Sequence, residues 1–484
     1  MTADTRMLER FLQRDPAWDG RFVAGVTTTG IYCLASCPAR RPRRENVRMF
    51  ADERAARAAG LRPCRRCRPD RFFASGDPDL ARYEALVAQL RASPGEFAQV
   101  ADLAAAAELG ATRLTEVFRR HGHTTPAAAL QEARVGFAAR RLLGGGDRLL
   151  DIALDAGFDS SSAFHDNFRA LLCLTPKAYR DLARGVGFAL ALPADFRHAD
   201  TLRQLGRDAA APDQRVVGRA CHKALWLDER PAVLTIELGK ATARCRVDGK
   251  RRLSPAAMAE AHRTALRLLG LGVDTGAFER RMRRDPAQRR LVQQRPGLRV
   301  LQSGSPFDAF CWSVIGQQIH LALAFRCRTA LFELAAPDAI GDLRPHPTPA
   351  AVAAVEPAAL RARQFSGRKI EYLQDAANAI AADTLPLDDL ARGSAVRAER
   401  TLLARRGVGP WSCNYVMMRG YGFADCAPIG DTGITSALQR WLALEERPDA
   451  AATVRLLEPF APFRSLACWH LWRSLDRPDE EETA

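Results

Sequence analysis

Two groups of residues have the types and spacing to do chemistry. Cys33, Cys37, Cys64 and Cys67 form a C-x3-C-x26-C-x2-C array. Two close cysteine pairs separated by a moderate insert suit four thiolates around one tetrahedral Zn²⁺. A metal-bound thiolate stays deprotonated at neutral pH and keeps its nucleophilicity, so the array reads either as a structural zinc or as a zinc site with a reactive sulfur. The second group lies in residues 402–436. Gly407-Val408-Gly409 is a turn between two apolar runs, 401–404 and 411–418. Glycines there let the backbone approach a phosphate and turn free N–H groups toward it. Asp431 follows in Pro428-Ile429-Gly430-Asp431-Thr432-Gly433, just ahead of the apolar-periodic run 434–442. A helix dipole at that point favours the charged carboxylate. A backbone gripped beside a fixed carboxylate is what severing a base from its sugar requires. Taken alone, the same residues also describe an ordinary helical turn with a capping acid.

The elements that must hold these groups are too many for one core. A chain of 484 residues implies three or four domains. Lys and Arg number 71 against 56 Asp and Glu, for a net charge of +15, and the pI is near 9.7. That balance points to a polyanionic partner, nucleic acid before membrane. The opening MTADTRMLER is not apolar and no run of 18 apolar residues exists, which argues against export and membrane spanning. The 12 cysteines do not read as a disulfide framework in such a chain, and the bacterial cytoplasm, at the nucleoid, is the expected location.

The pattern predicts a multidomain, mainly α chain: a small zinc α+β module at 1–78, a tandem helix-turn-helix domain at 79–183, a small antiparallel α+β domain with leading helices at 184–296, and an all-α core at 297–484. Helical spacing begins near Leu80. Two segments then share one plan, a short helix, a glycine turn and a polar-faced second helix: 100–107 with 112–121, and 149–155 with 160–170. Ser160-Ser161-Ser162 offers the last of these a capped start. From 188 the pattern changes to short alternating stretches at 188–192, 215–217, 223–227, 233–237 and 243–247, read as strands. Helical spacing returns at 251–271, 368–382 and 466–475.

Specific phrases carry resemblances to known families. Thr27-Thr28-Thr29-Gly30-Ile31-Tyr32-Cys33-Leu34-Ala35-Ser36-Cys37-Pro38-Ala39-Arg40 and Arg62-Pro63-Cys64-Arg65-Arg66-Cys67 resemble the N-terminal domain of the Ada adaptive-response family. The resemblance implies that Cys33 takes a methyl group from a DNA phosphotriester, with Cys37, Cys64 and Cys67 as the other zinc ligands. It also implies that Thr29, Arg40, Arg65 and Arg66 face DNA, and that loss of the thiolate's charge tightens DNA binding. Ala156-Gly157-Phe158-Asp159-Ser160-Ser161-Ser162-Ala163-Phe164 and Leu174-Thr175-Pro176-Lys177-Ala178-Tyr179-Arg180 resemble the AraC-type tandem domain. Base-reading side chains are then expected from 112–119 and 161–169, with promoter DNA and RNA polymerase as partners.

Gly407-Val408-Gly409-Pro410-Trp411-Ser412-Cys413-Asn414-Tyr415 with Asp431 resembles the helix-hairpin-helix DNA glycosylases, most closely the AlkA type, 3-methyladenine DNA glycosylase II. That resemblance makes Asp431 the catalytic carboxylate, Gly407 and Gly409 a DNA-gripping hairpin that also holds a monovalent cation, and Trp411, Tyr415 and Trp472 a base pocket. Gly316-Gln317-Gln318-Ile319 lies where the family inserts a wedge into duplex DNA, and either Gln318 or Ile319 fills that role. Trp411 stands where bifunctional members carry a Schiff-base lysine, so hydrolysis without strand cleavage is implied. Cys221-His222-Lys223 lacks the proline of the second Ada methyl acceptor and is not read as one. The combined expectation is a monomeric alkylation-response regulator fused to a glycosylase. The rival is a DNA-binding regulator whose glycosylase-like half is inactive.

Overall fold

The described residues of this computed structural model are 3–75, 77–185, 187–248, 253–336 and 339–476; they form a mainly helical chain with two small sheets. The chain divides into two compact units, Met1–Ala85 and Leu86–Ala484.

In the first unit, strands β1 (Val23–Val26), β2 (Ile31–Cys33), β3 (Val47–Phe50) and β4 (Arg62–Pro63) make a sheet in the order β3-β1-β2-β4. β1 and β2 form an antiparallel hairpin in which Gly25 faces Tyr32. The two-residue β4 pairs parallel to β2, with Tyr32 opposite Pro63. That register matters because Cys33 and Cys64 come next on the two strands and are laid side by side. Cys64 N donates to Tyr32 O at 3.0 Å. The core under the cysteines is small: Phe11, Phe22, Ala24 and Ala35 pack against them. A core of that size needs help to hold a fold.

The second unit opens with the two expected helix pairs, Val100–Ala106 with Ala111–Gly122 and Leu149–Asp155 with Ser161–Leu172, joined by the long helix Pro126–Gly144. Ser160 caps the last recognition-type helix by accepting Ala163 N at 3.1 Å. Gly157 makes the second turn at φ +84°, where a Cβ would meet Gly95 Cα at 3.0 Å.

The five expected strands are all present: β5 (Gly187–Ala191) lies one residue ahead of its expected stretch, and β6 (Gln214–Val217), β7 (Ala220–Leu227), β8 (Arg230–Leu238) and β9 (Thr242–Asp248) each extend beyond theirs. They form one antiparallel sheet in the order β5-β9-β8-β7-β6. In β8, Ala232, Leu234, Ile236 and Leu238 alternate into the core, the period of a one-sided sheet. Cys221, within β7, is buried. The helix expected over 251–271 runs Pro255–Leu269, and residues 251 and 252 lie outside the described residues.

Helices from Pro306–Ile315 to Arg464–Arg473 complete the unit. The expected boundaries 183/184 and 296/297 both fall within it, and a single set of packed side chains reaches from Val135 to Leu471. Histidines line the seam between the early helices and the rest. His262, fully buried, places Nε2 2.8 Å from Leu172 O and sets its ring edge-on to Tyr179 at 5.3 Å. Burial pushes its pKa down to about 4. His121 Nδ1 lies 3.3 Å from Ser394 Oγ, both buried, and Asp425 N donates to His123 Nδ1 at 3.2 Å.

Candidate functional site

The sulfurs of Cys33, Cys37, Cys64 and Cys67 all lie within 4.8 Å of one another. Zn–S bonds of about 2.3 Å impose sulfur separations of about 3.8 Å on a tetrahedral site, so the donor set and its spacing fit Zn²⁺. Cys37 Sγ and Cys64 Sγ are already 3.9 Å apart. Backbone amides support the cluster: Leu34 N donates to Cys67 Sγ at 3.5 Å and Arg66 N to Cys64 Sγ at 3.4 Å. The loop between the first two cysteines is tied down by Asp19, which accepts Ser36 N at 2.9 Å and Ser36 Oγ at 2.6 Å. Hydrogen bonding with Cys33 and Cys67 draws the Cys37 thiol down to about 2, while the same bonding with Cys37 pushes Cys33 up.

Cys33, Cys37 and Cys64 are buried and Cys67 is the most open of the four. Thr29, Arg40 and Arg66 are exposed, as is Arg65. Sequence reasoning passed over Arg41, whose guanidinium lies 4.3 Å from the Phe11 ring centroid and donates to Ala35 O at 3.3 Å. In the second unit both recognition-type helices keep a polar face in solvent: Thr112, Arg113, Glu116 and Arg119 on one, Ser161, Ser162, Asp166 and Arg169 on the other.

The hairpin is built as its glycines require. Gly407 has φ +82°, and a Cβ there would lie 2.2 Å from the Tyr372 ring. Gly409 has an ordinary φ and empty space before its missing side chain, which leaves the turn open to an approaching backbone. Gln317 reaches the hairpin: its Nε2 donates to Gly407 O and to Ser412 Oγ, both at 2.9 Å. Gln318 is exposed at φ +55°, whereas Ile319 packs against the core.

Asp431 caps the helix Thr432–Leu442, accepting Ile434 N at 2.9 Å. Its carboxylate also accepts two indole N–H groups, Trp472 Nε1 at 2.8 Å and Trp411 Nε1 at 2.9 Å, and the residue stays half-buried. The Tyr415 ring stands between the two indoles, with centroids 5.5 Å from Trp411 and 6.4 Å from Trp472. The structure therefore brings together Asp431, Trp411, Tyr415 and Trp472, which span 61 positions of the chain from 411 to 472. Three rings beside the carboxylate make a cleft with electron-rich faces.

Tyr415 also lines a neighbouring cavity of about 160 Å³ between the sheet and the helices, with Trp312 and Phe325. None of the expected site residues except Tyr415 lines it. Its wall holds a buried charge network: Asp213 accepts Lys223 Nζ at 2.6 Å and Arg328 at 2.9 and 2.7 Å, and Arg328 reaches Asp308 at 3.3 Å. Against the cost of burial, Arg328 and Lys223 hold Asp213 well below the usual carboxylate range. The network ties Asp213 and β7 to the helices Pro306–Ile315 and Leu321–Ala335, fixing the cavity's two sides. No local signal marks these residues, because each partner comes from a different segment.

Comparison with known proteins agrees with this geometry. Residues 6–70 match the family described as metal binding domain of Ada, residues 103–182 a helix-turn-helix domain, and residues 311–462 the HhH-GPD superfamily base excision DNA repair protein. The Mycobacterium tuberculosis H37Rv protein named "Probable bifunctional transcriptional activator/DNA repair enzyme AlkA" is 30% identical over 96% of this chain and 95% of its own length. The Escherichia coli K12 bifunctional transcriptional activator/DNA repair enzyme Ada is 34% identical over 49% of this chain and 62% of its own. Among solved structures, the 3-methyladenine DNA-glycosylase from Archaeoglobus fulgidus shares the fold, with a TM-score of 0.52 at 19% identity over 59% of this chain and 97% of that one. No helix among the described residues is long and apolar enough to cross a membrane. A relative matched almost from end to end, together with a metal-binding, a helix-turn-helix and a base-excision match in succession, shows that the chain belongs to the AlkA/Ada family of bifunctional transcriptional activators and DNA repair enzymes.

Proposed function

We propose that this chain excises alkylated purines such as 3-methyladenine by hydrolysing the bond between base and sugar, with Asp431 as the catalytic carboxylate. The observation that carries the reading is the pair of indole N–H groups of Trp411 and Trp472 holding Asp431 at the edge of an aromatic cleft. A purine alkylated at N3 or N7 is cationic and leaves without prior protonation. The C1′–N bond breaks through an oxocarbenium-like state, its electron pair neutralises the departing ring, and the Asp431 charge stabilises the sugar cation while water attacks C1′ and releases a proton to solvent. The base must first be flipped from the stack. The faces of Trp411, Tyr415 and Trp472 then favour the cationic ring by about 0.5–2 kcal/mol per contact. Gln318, exposed at its turn, fills the gap left in the duplex, while the 407–409 hairpin grips the backbone, with a monovalent cation on its carbonyls. Trp411 in place of a lysine leaves no amine to form an imine, so the strand stays intact. The test is incubation of the full chain with duplex containing methylated purines. Free base should appear and should be lost in Asp431→Asn; no release by the wild-type chain would instead favour a regulator with an inactive glycosylase half.

The first unit, on the same reading, repairs and senses methyl phosphotriesters. Bound Zn²⁺ keeps the acceptor sulfur ionised. Cys33 Sγ forms a bond to the methyl carbon as the carbon–oxygen bond breaks, and the phosphodiester leaves as an anion. No co-reactant is needed and the cysteine is consumed. Removing one negative charge near Arg40, Arg65 and Arg66 tightens their hold on phosphates. The exposed faces of the two recognition-type helices then direct the chain, as a monomer, to promoters and RNA polymerase. Peptide mass analysis after exposure to methylated DNA should find the methyl group on Cys33, and a methyl group on Cys67 would move the acceptor to the most open ligand.

A further inference from the structure

Arg41 stands apart from the paired arginines of the first unit. Arg10 meets Asp15 at 3.1 Å, Arg57 meets Glu53 at 3.7 Å and Arg68 meets Asp70 at 3.3 Å. Arg41 is half-buried, and among the described residues no carboxylate pairs with it. Its guanidinium lies 4.3 Å from the Phe11 ring centroid and donates to Ala35 O at 3.3 Å, while Nε is buried without a partner. Ala35 belongs to the loop between Cys33 and Cys37, and both Phe11 and Ala35 are part of the small core that packs with Cys33, Cys37 and Cys64. The cation is thus fixed against the layer that carries the sulfurs. Burial and the neighbouring Arg14 lower the Arg41 pKa, and Cys37, Cys33 and Cys67 raise it. A half-buried cation without an acid partner needs a counter-charge from another source. The cysteine set supplies it.

We infer that Arg41 is the fixed counter-charge of the four-sulfur site, a positioning residue that keeps Zn²⁺ on the cysteines and restrains the reactivity of their thiolates. This rests on the zinc reading of the first unit. Loading exchanges four thiol protons for one dication, so the site gains an excess of two negative charges over its empty, protonated form. A cation fixed nearby favours the loaded form. On the sulfur chemistry it acts in the opposite sense. In a methyl transfer the sulfur electron pair forms the bond to carbon, the bond from carbon to the leaving group breaks, and negative charge departs with that group. Arg41 stabilises the charge while it resides on sulfur and loses that contact as the charge moves away. It therefore lowers the ground state more than the transition state. Exposed cations such as Arg40, Arg65 and Arg66 do the reverse, because they meet a departing phosphodiester. The inner charge quietens the sulfur, and the outer charges favour transfer from DNA.

The experiment uses the full chain and compares Arg41→Met, which keeps bulk on Phe11 without the charge, with Arg41→Lys, which keeps the charge without the planar donor. Zinc affinity is measured against a competing chelator. Sulfur reactivity is measured by peptide mass after treatment with iodomethane at saturating zinc, where the methyl–iodide bond breaks and iodide leaves. Arg41→Met should bind zinc about 10- to 100-fold more weakly and gain methyl about tenfold faster, the order expected for a unit charge within about 10 Å at an effective dielectric of about 20. Arg41→Lys should stay within about threefold of wild type in both, since it keeps the charge. Equal shifts in the two variants, failure of both to load included, would mean that Arg41 only straps the Cys33–Cys37 loop and would overturn the inference. Unchanged zinc affinity in Arg41→Met would overturn it too. A Met variant that holds no zinc while the Lys variant loads fully is the limit of the expected loss and supports it. A wild-type chain that binds no zinc is a separate result, which overturns the zinc reading and takes this inference with it.

Discussion

The cysteine site of the first unit and the carboxylate site of the second each stabilise an anion, by opposite means. At residues 33–67 four sulfurs crowd over a core of a few side chains, and as thiolates they would need a cation between them. Around Asp431 three neutral donors, two indole N–H groups and one backbone N–H, hold a single charge on a scaffold whose packing continues through the whole unit. In the first case the ion is part of what folds the chain. In the second the fold is complete without the site, so the site can be changed while the scaffold stands.

Metal removal is the strongest way to break that contrast. Structural Zn²⁺ contributes about 10–16 kcal/mol of apparent folding free energy in small domains. A chelator should therefore abolish hydrogen-exchange protection across 23–67 and leave that of Pro255–Leu269 intact. Protection at 23–67 that survives chelation would erase the distinction. Asp431→Asn should do the reverse, keeping the melting profile while base release falls by about 10²–10³-fold, as for other preorganised charge stabilisers.

Acid should sharpen the comparison within the second unit. His262 titrates near 6.5 when unfolded and at about 4 when folded, so the unfolded chain binds the extra proton between those values. Stability is full above pH 6.5, falls as the pH drops toward 4 and levels off below. At pH 5 the loss should be about 2 kcal/mol. Denaturant midpoints at pH 7 and pH 5 measure it, and a His262→Phe variant with an unchanged acid response would refute the assignment to that seam. Smaller still, Trp472→Phe removes one indole donor from Asp431 and should slow excision about tenfold, the net worth of one hydrogen bond to a charged group. An unaltered rate would mean the second indole and Ile434 N suffice.

How much of this was legible in the sequence follows from how far apart the parts lie. The cysteine array sits within 35 residues, and its type and spacing announce a metal before any fold is known. Hairpin, Trp411, Tyr415 and Asp431 fall in one short stretch, and the apolar alternation of 188–247 marks all five strands. β4 is only two residues long, too short for any periodicity, yet its parallel pairing is what brings Cys64 to Cys33. The Asp213–Lys223–Arg328–Asp308 network is joined across the chain by the Asp213–Arg328 pair, 115 positions apart, and each member alone reads as an ordinary surface charge. Gln318 and Ile319 were equivalent by position. The backbone distinguishes them, turning Gln318 outward at positive φ and Ile319 inward. The histidine seam was invisible for the same reason: His262 meets Leu172 across 90 residues.

That seam changes how the helix-turn-helix part and the Asp431 part of the second unit are coupled. Modules on a flexible tether meet second sites with an effective concentration set by linker length. Here His262 against Leu172 and Tyr179, and His121 against Ser394, replace the tether with packed interior. The displacement from the helix Ser161–Leu172 to the Asp431 cleft is then a vector fixed by packed contacts, and lengthening or shortening a loop would leave it unchanged.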